Sequence, residues 1–156
     1  MEIKKAYEKL KIKYNLPEYE ELDEEFELLY FQRIIEIKYI LRFVRRRIVD
    51  KLNSYVNFLQ NILNPNPSSL ISLEESKFFS QEEREEIIAL IKEMVIVERK
   101  SLELDINHNE KKDAEFIKYG FMKWGELRNK IAKMCDKLKE GWESEIKEES
   151  EKHYFG

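Results

Sequence analysis

The chain of 156 residues is predicted to fold as an all-α helical bundle of about four main helices around one long central helix. Hydrophobic residues make up 42% of the sequence, enough to form a core in one domain of this length. Four glycines and three prolines are too few for the frequent turns of an antiparallel β fold. Long segments carry apolar residues at steps of three and four, the period of an α-helix. We therefore expect residues 1–156 to form a single helical domain.

The first helix has an apolar stripe that includes Ile3, Tyr7 and Leu10, and it is predicted to end at Asn15-Leu16-Pro17 because proline cannot continue a helix. Asp23 is the predicted N-cap of the long second helix, which extends from about Phe26 to Leu63. The apolar stripe of this helix consists of Ile34, Ile37, Leu41, Val44, Ile48, Leu52, Tyr55, Leu59 and Ile62. A continuous helix there would be nearly 60 Å long, at about 1.5 Å per residue, so a bend or break within it is the alternative.

The second half begins after a break at residues 64–69, which contain two prolines and two serines. Ser72 with Glu75, and Ser80 with Glu83, match the capping box that starts a helix. These pairs predict a short helix near residues 72–78 and a longer one after Ser80. Residues 105–109 are the predicted connection to a last long helix, in which Gly120 and Gly125 weaken the helical pattern. Residues 147–156 are predicted to fray.

Charge is distributed unevenly along the chain, although its net value is only −4. Residues 18–27 carry carboxylates without a base, whereas residues 38–51 are rich in lysine and arginine. Lys38, Arg42, Arg45 and Arg46 are predicted to lie opposite the apolar stripe, and we call these four residues the basic face. Tyr39 and Phe43 lie beside them in the sequence. The predicted contacts with a partner or a nucleic acid are therefore Lys38, Tyr39, Arg42, Phe43, Arg45 and Arg46.

Catalytic and metal-binding patterns are not apparent in the sequence. Asp105 and His108 have the spacing of a carboxylate–histidine pair, but a di-iron bundle needs a second such pair, and His153 lies in the tail. Cys135 has apolar neighbours at helical spacing, which is typical of a buried and inert cysteine. The chain also lacks a glycine-rich phosphate loop. We therefore expect no catalytic residues, no metal and no cofactor.

These observations favour a non-enzymatic interaction or scaffold protein whose basic face binds the acidic surface of an unknown protein partner. Binding of DNA or RNA is the alternative, because arginine also matches phosphate oxygens and exposed aromatic rings stack on bases. A third reading is that the basic face pairs internally with residues 18–27. Apolar side chains outside the stripe, such as Phe31 and Ile35, leave a homodimer open. We expect a cytoplasmic protein without a membrane segment, with a composition that leans towards that of thermophile proteins.

The segments Glu36–Arg42, Arg45–Ile48 and Leu70–Glu83 resemble the helical domain of GINS subunits, the scaffold of the archaeal and eukaryotic replication fork. The resemblance covers residues 33–100, where a long helix with arginines precedes a loop and another helix. It implies a non-catalytic scaffold that contacts other subunits and DNA. GINS subunits pair this domain with a small β domain, whereas residues 110–150 are predicted here to be helical.

Overall fold

A computed structural model describes residues 2–31 and 36–155, which form six α-helices and no β-strand. The helices are α1 (Glu2–Tyr14), α2 (Tyr19–Phe26), α3 (Ile40–Leu63), α4 (Leu70–Lys77), α5 (Gln81–Ile106) and α6 (Glu110–Phe155). Short 3-10 turns at Leu28–Phe31 and Ile37–Tyr39 lie between α2 and α3. The predicted all-α helical bundle is confirmed. Within the described ranges, none of the helices combines the length and apolar character that a membrane span requires.

The long second helix begins later than predicted, at Ile40 rather than near Phe26. The chain leaves α2 because Glu27 adopts the left-handed conformation, with φ 56° and ψ 47°. Asp23 is therefore not an N-cap but lies inside α2, where its Oδ1 accepts a hydrogen bond from the Leu29 backbone N–H at 2.6 Å. The predicted stripe residue Ile34 lies outside the described residues, as does Ile35.

The helix starts in the second half follow local capping. The capping box of Ser80 and Glu83 is confirmed: the Ser80 N–H donates to Glu83 Oε2 at 2.8 Å, and the Glu83 N–H donates to Ser80 Oγ at 3.2 Å. The box predicted at Ser72 is wrong, because Ser69 Oγ caps α4 by accepting from the Ser72 N–H at 3.2 Å. Helix α6 continues through both glycines and includes residues 147–155, for which we predicted fraying.

Contacts divide the chain into two compact units, one of residues 1–54 and 93–126 and the other of residues 55–92 and 127–156. The prediction of a single domain stays a prediction. The core of the first unit combines side chains from five helices, with Tyr7, Leu22, Phe26, Ile48, Leu52, Met94, Val97 and Ile117 among its buried members. The core of the second unit includes Leu59, Ile62, Phe79, Ile87, Leu90, Leu127 and Ile131.

Helix α6 makes two close approaches, one within each unit, at glycine residues. In the first unit, a Cβ atom added to Gly120 would lie 3.1 Å from Ile48 Cγ2. In the second unit, a Cβ atom added to Gly141 would lie 2.4 Å from the Phe78 ring, and that ring meets Trp142 edge-on at 5.4 Å between centroids. The absence of a side chain at these positions lets the neighbouring groups reach the helix backbone.

Candidate interaction surface and basic pocket

Arg45 does not belong to an exposed basic face, because its side chain is completely buried in the first unit. Residues of an α-helix are about 100° apart, so Arg45 points within about 60° of both Leu41 and Ile48, which are core residues. The predicted exposure of Arg45 is therefore wrong: its position in α3 coincides with the apolar stripe.

The buried guanidinium of Arg45 has a polar partner for each of its nitrogen atoms. Its Nε donates to Asp113 Oδ1 at 2.8 Å, and its Nη2 donates to Asp105 Oδ1 at 2.5 Å. Its Nη1 donates to the Ser101 carbonyl oxygen at 2.8 Å and to the Ser101 hydroxyl. A buried charge with this set of partners holds α3, α5 and α6 together within the first unit and is not accessible to another molecule.

The pKa values of the two carboxylates around Arg45 are shifted from their ordinary values in opposite directions. Burial raises the pKa of Asp113 above its ordinary value, while the charge of Arg45 opposes the shift. Burial also acts against ionisation of Asp105, but its bonds to Arg45 and Arg46 bring its pKa below the ordinary value. Asp105 thus bridges a buried arginine and an exposed one, with Arg46 Nη2 at 3.2 Å.

Two members of the basic face form ion pairs within the chain. Arg45 pairs with Asp105 of α5 and Asp113 of α6, and Arg46 pairs with Asp105. In the acidic segment of residues 18–27, Glu18 and Glu20 pair with Lys11 and Lys4 of α1. These contacts differ from the predicted pairing between the basic face and the acidic segment.

The predicted contact residues that reach the surface of the first unit are Lys38, Tyr39, Arg42 and Arg46, and we call them the basic–aromatic patch. Lys38 Nζ lies 5.3 Å and Arg42 Cζ lies 4.7 Å from the centroid of the Tyr39 ring. Such cation–π contacts hold both charges near the ring. Phe43 is half-buried, as Arg42 is, but its ring packs on Phe31 at 6.0 Å between centroids and is left out of the patch for that reason.

A pocket of about 490 Å³ opens beside the patch, between α1, the start of α3 and the turn from α5 to α6. We call it the basic pocket. The charged and polar residues in its wall are Lys9, Lys38, Tyr39, Arg42, His108, Asn109, Glu110 and Asp113. Among the described residues, Lys9, Lys38 and Arg42 form no ion pair within 4.0 Å. The pocket wall therefore has three cations and two carboxylates, and the charge of Arg42 opposes the rise in the pKa of Asp113 that burial causes.

The pocket wall contains one buried donor and one helix terminus. Arg42 Nε is closed to solvent and has no hydrogen-bond acceptor within the described part of the chain. Helix α6 begins at the pocket wall, where Asn109 Oδ1 accepts from the Lys112 N–H at 2.9 Å. The N-terminal end of a helix carries partial positive charge. The carboxylate of Glu110 in the same wall is engaged by the Tyr14 hydroxyl at 2.6 Å and by Lys13 at 3.0 Å.

Sequence reasoning missed Lys9, His108 and Asn109 as members of this pocket. Lys9 lies on α1 and His108 lies about a hundred residues later, so only tertiary packing brings them to one wall. No local pattern in the sequence signals such a combination.

The cysteine, the aspartate–histidine pair and an acidic cluster are weaker candidates for a functional site. The predicted burial of Cys135 is wrong, because this residue is exposed. Asp105, which the sequence pairs with His108, is engaged by two arginines. Carboxylate oxygens of Glu8, Glu18 and Glu20 lie within 4.8 Å of one another. Lys4 pairs with Glu20, and Lys11 pairs with both Glu8 and Glu18, so two of the three negative charges are offset.

Comparisons of the chain with protein-family models, with curated proteins and with solved structures find no match.

Proposed function

We propose that this chain is a non-enzymatic interaction protein that binds an acidic protein surface through the basic–aromatic patch. The observation that carries the proposal is the state of Arg42, whose guanidinium lies over Tyr39 while its Nε is buried without an acceptor among the described residues. Nε itself is closed to solvent, so a carboxylate from a partner would bond to the outer Nη nitrogens of the same guanidinium, in a charge-assisted hydrogen bond.

The small extent of the patch favours a protein partner over a nucleic acid. Lys38, Arg42 and Arg46 span about two helical turns, roughly 12 Å along the axis. A protein that makes about 6–10 phosphate contacts on duplex DNA needs more cations than these three. The chain also carries a net charge of −4, which opposes general attraction to nucleic acid. The scaffold role that the GINS resemblance implies agrees with this proposal and stays a prediction.

The test is an affinity pull-down from lysate of the native host, with the tagged chain as bait, in the presence and absence of nuclease. The variant is the triple charge reversal Lys38→Glu, Arg42→Glu and Arg46→Glu, with Arg45 left unchanged because it is buried. The control is the triple reversal Lys92→Glu, Lys139→Glu and Lys147→Glu, which changes three exposed lysines outside the patch. Circular dichroism and thermal melting establish that both variants fold.

We expect protein partners that survive nuclease, that the patch variant loses and that the control variant keeps. Partners that disappear with nuclease would overturn the proposal in favour of nucleic-acid binding. Equal capture by the wild type and the patch variant would show that the patch is not the binding surface.

A further inference from the structure

We propose that the basic pocket binds a phosphate monoester, that is, a terminal phosphate group. The proposal deepens the proposed function, because Lys38 and Arg42 belong to both the patch and the pocket, whereas Lys9 and His108 belong to the pocket alone. The phosphate would come either from a phosphorylated side chain of the acidic partner or from a free small molecule. Both sources present the same group to the same wall.

The first support is the balance of charge in the wall. Three cations in the wall come from separate elements: Lys9 from α1, Lys38 from the 3-10 turn before α3, and Arg42 from α3. His108 adds a ring that can donate or accept a hydrogen bond. Two carboxylates are also present: Asp113 is bonded to Arg45 and also feels the charge of Arg42, and Glu110 is bonded to Lys13. Since each carboxylate is bonded to a further cation outside the wall, the balance of charge at the pocket favours an anion.

The second support is the number and kind of donors. The Arg42 guanidinium has two outer nitrogens besides its buried Nε, and the two lysine ammonium groups can each donate several hydrogen bonds. A phosphate monoester carries about −1.5 to −2 charges at pH 7 and three terminal oxygens, which matches three cations. A carboxylate has one charge and two oxygens, so it would leave donors unsatisfied. The diester of a nucleic-acid backbone also has one charge and lies within a chain.

The third support is the shape of the site. At about 490 Å³, the basic pocket is within the range of roughly 300–1,000 Å³ in which small molecules bind. It opens beside the exposed ring of Tyr39, so a phosphate at its base could be attached to a larger group that lies on the basic–aromatic patch.

The experiment is isothermal titration calorimetry of the whole chain at constant ionic strength with four probes. Three of the probes are O-phosphoserine, serine and inorganic phosphate, and the fourth is an acidic peptide, which is titrated in two forms, with and without one phosphoserine. We expect heat of binding from O-phosphoserine and from inorganic phosphate, and none from serine. Lys9→Gln and Arg42→Gln should each weaken O-phosphoserine binding about tenfold, the effect of one lost charge-assisted hydrogen bond.

Lys5→Gln is the matched control, because it removes an exposed lysine from the same helix outside the pocket. It should leave the affinity for O-phosphoserine unchanged. Absence of binding by O-phosphoserine, or equal weakening by Lys5→Gln and Lys9→Gln, would overturn the proposal. Since Gln at these positions is exposed or half-buried, thermal melting serves to confirm that each variant is folded.

The probes also separate the two sources of the phosphate. A phosphopeptide that binds more tightly than O-phosphoserine indicates a phosphorylated protein partner, and equal affinities indicate a small molecule. If O-phosphoserine fails to bind while the triple reversal of the patch still abolishes partner capture, the pocket proposal falls and the proposed function stands. If phosphate binds but the triple reversal leaves partner capture intact, the proposed function falls and the pocket proposal stands.

Discussion

The guanidinium of Arg45 and the carboxylate of Asp113 form a buried ion pair of 2.8 Å, with Arg45 at 0% and Asp113 at 5% exposure. Arg46, the next residue in α3, has a side chain that is 55% exposed. Adjacent arginines in one helix thus have different roles, since one belongs to the core and the other to the surface.

Arg45→Met should lower the free energy of unfolding by about 3–5 kcal/mol, because it leaves the Asp113 carboxylate buried without its cation. Arg46→Met should change it by less than about 1 kcal/mol, as expected for an exposed ion pair. Urea unfolding followed by circular dichroism measures both. The double variant Arg45→Met with Asp113→Asn should recover part of the loss. Equal stabilities of the two single variants would contradict the structural role of Arg45.

Gly141→Ala should destabilise the second unit by about 1–3 kcal/mol, because the added Cβ atom would meet the Phe78 ring at 2.4 Å and force it to move. Gly125→Ala is the control, since the space around that glycine is open to 4 Å. Alanine there should stabilise the chain by about 1 kcal/mol through its higher helix propensity. Thermal melting of both variants should shift in opposite directions, and a shift in the same direction would argue against the contact with Phe78.

Ser80→Ala should lower the free energy of unfolding by about 1 kcal/mol, because the Ser80 hydroxyl accepts the Glu83 N–H at the start of α5. Ser80→Asp should preserve stability, since aspartate is an equally good N-cap. Urea unfolding of the two variants provides the measurement. A loss of the same size in both would mean that the serine acts in another way.

Acid should destabilise the folded chain through carboxyl groups whose pKa is lowered by folding. Lys137 lowers the pKa of Glu83 below its ordinary value of 4.5, and the Tyr14 hydroxyl followed by Lys13 does the same for Glu110. The unfolded chain therefore binds more protons, so the stabilising contribution is present above the ordinary value and is lost as the pH falls through the folded value.

The measurement is the free energy of unfolding from about pH 6 to pH 3, where acid titration of carboxyl groups occurs. Glu83→Gln should give a shallower decline than the wild type. Lys137→Gln, which removes the cation instead of the carboxylate, should flatten the decline in the same way. Parallel curves for all three proteins would show that this ion pair is not coupled to folding.

Local signals in the sequence were sufficient for several features of the fold. Pro17 and the preceding residues predict the end of α1, and the capping box of Ser80 and Glu83 predicts the start of α5. Such signals act between residues three or four positions apart, so the sequence displays them directly. The apolar period of α5 and α6 likewise predicts their helical state.

The errors arose where the deciding contact is distant or unusual. Glu27 ends α2 in a left-handed conformation that glycine or asparagine usually adopts, so the sequence contains no break signal there. Arg45 falls on the apolar stripe of α3, but its polar partners are 56 to 68 residues away. A polar residue at a core position could have indicated a buried ion pair, although the identity of its partners could not be read from α3 alone.

The Arg45 contacts also have a consequence for how α3 can be aligned in the first unit. A shift of α3 by one turn would displace the guanidinium by about 5.4 Å and separate its charge from Asp113 and Ser101. An apolar side chain at position 45 would tolerate such a shift, because hydrophobic contacts are not directional. We therefore expect Arg45 to favour one alignment of α3 in the first unit, because other alignments would leave its charge without partners.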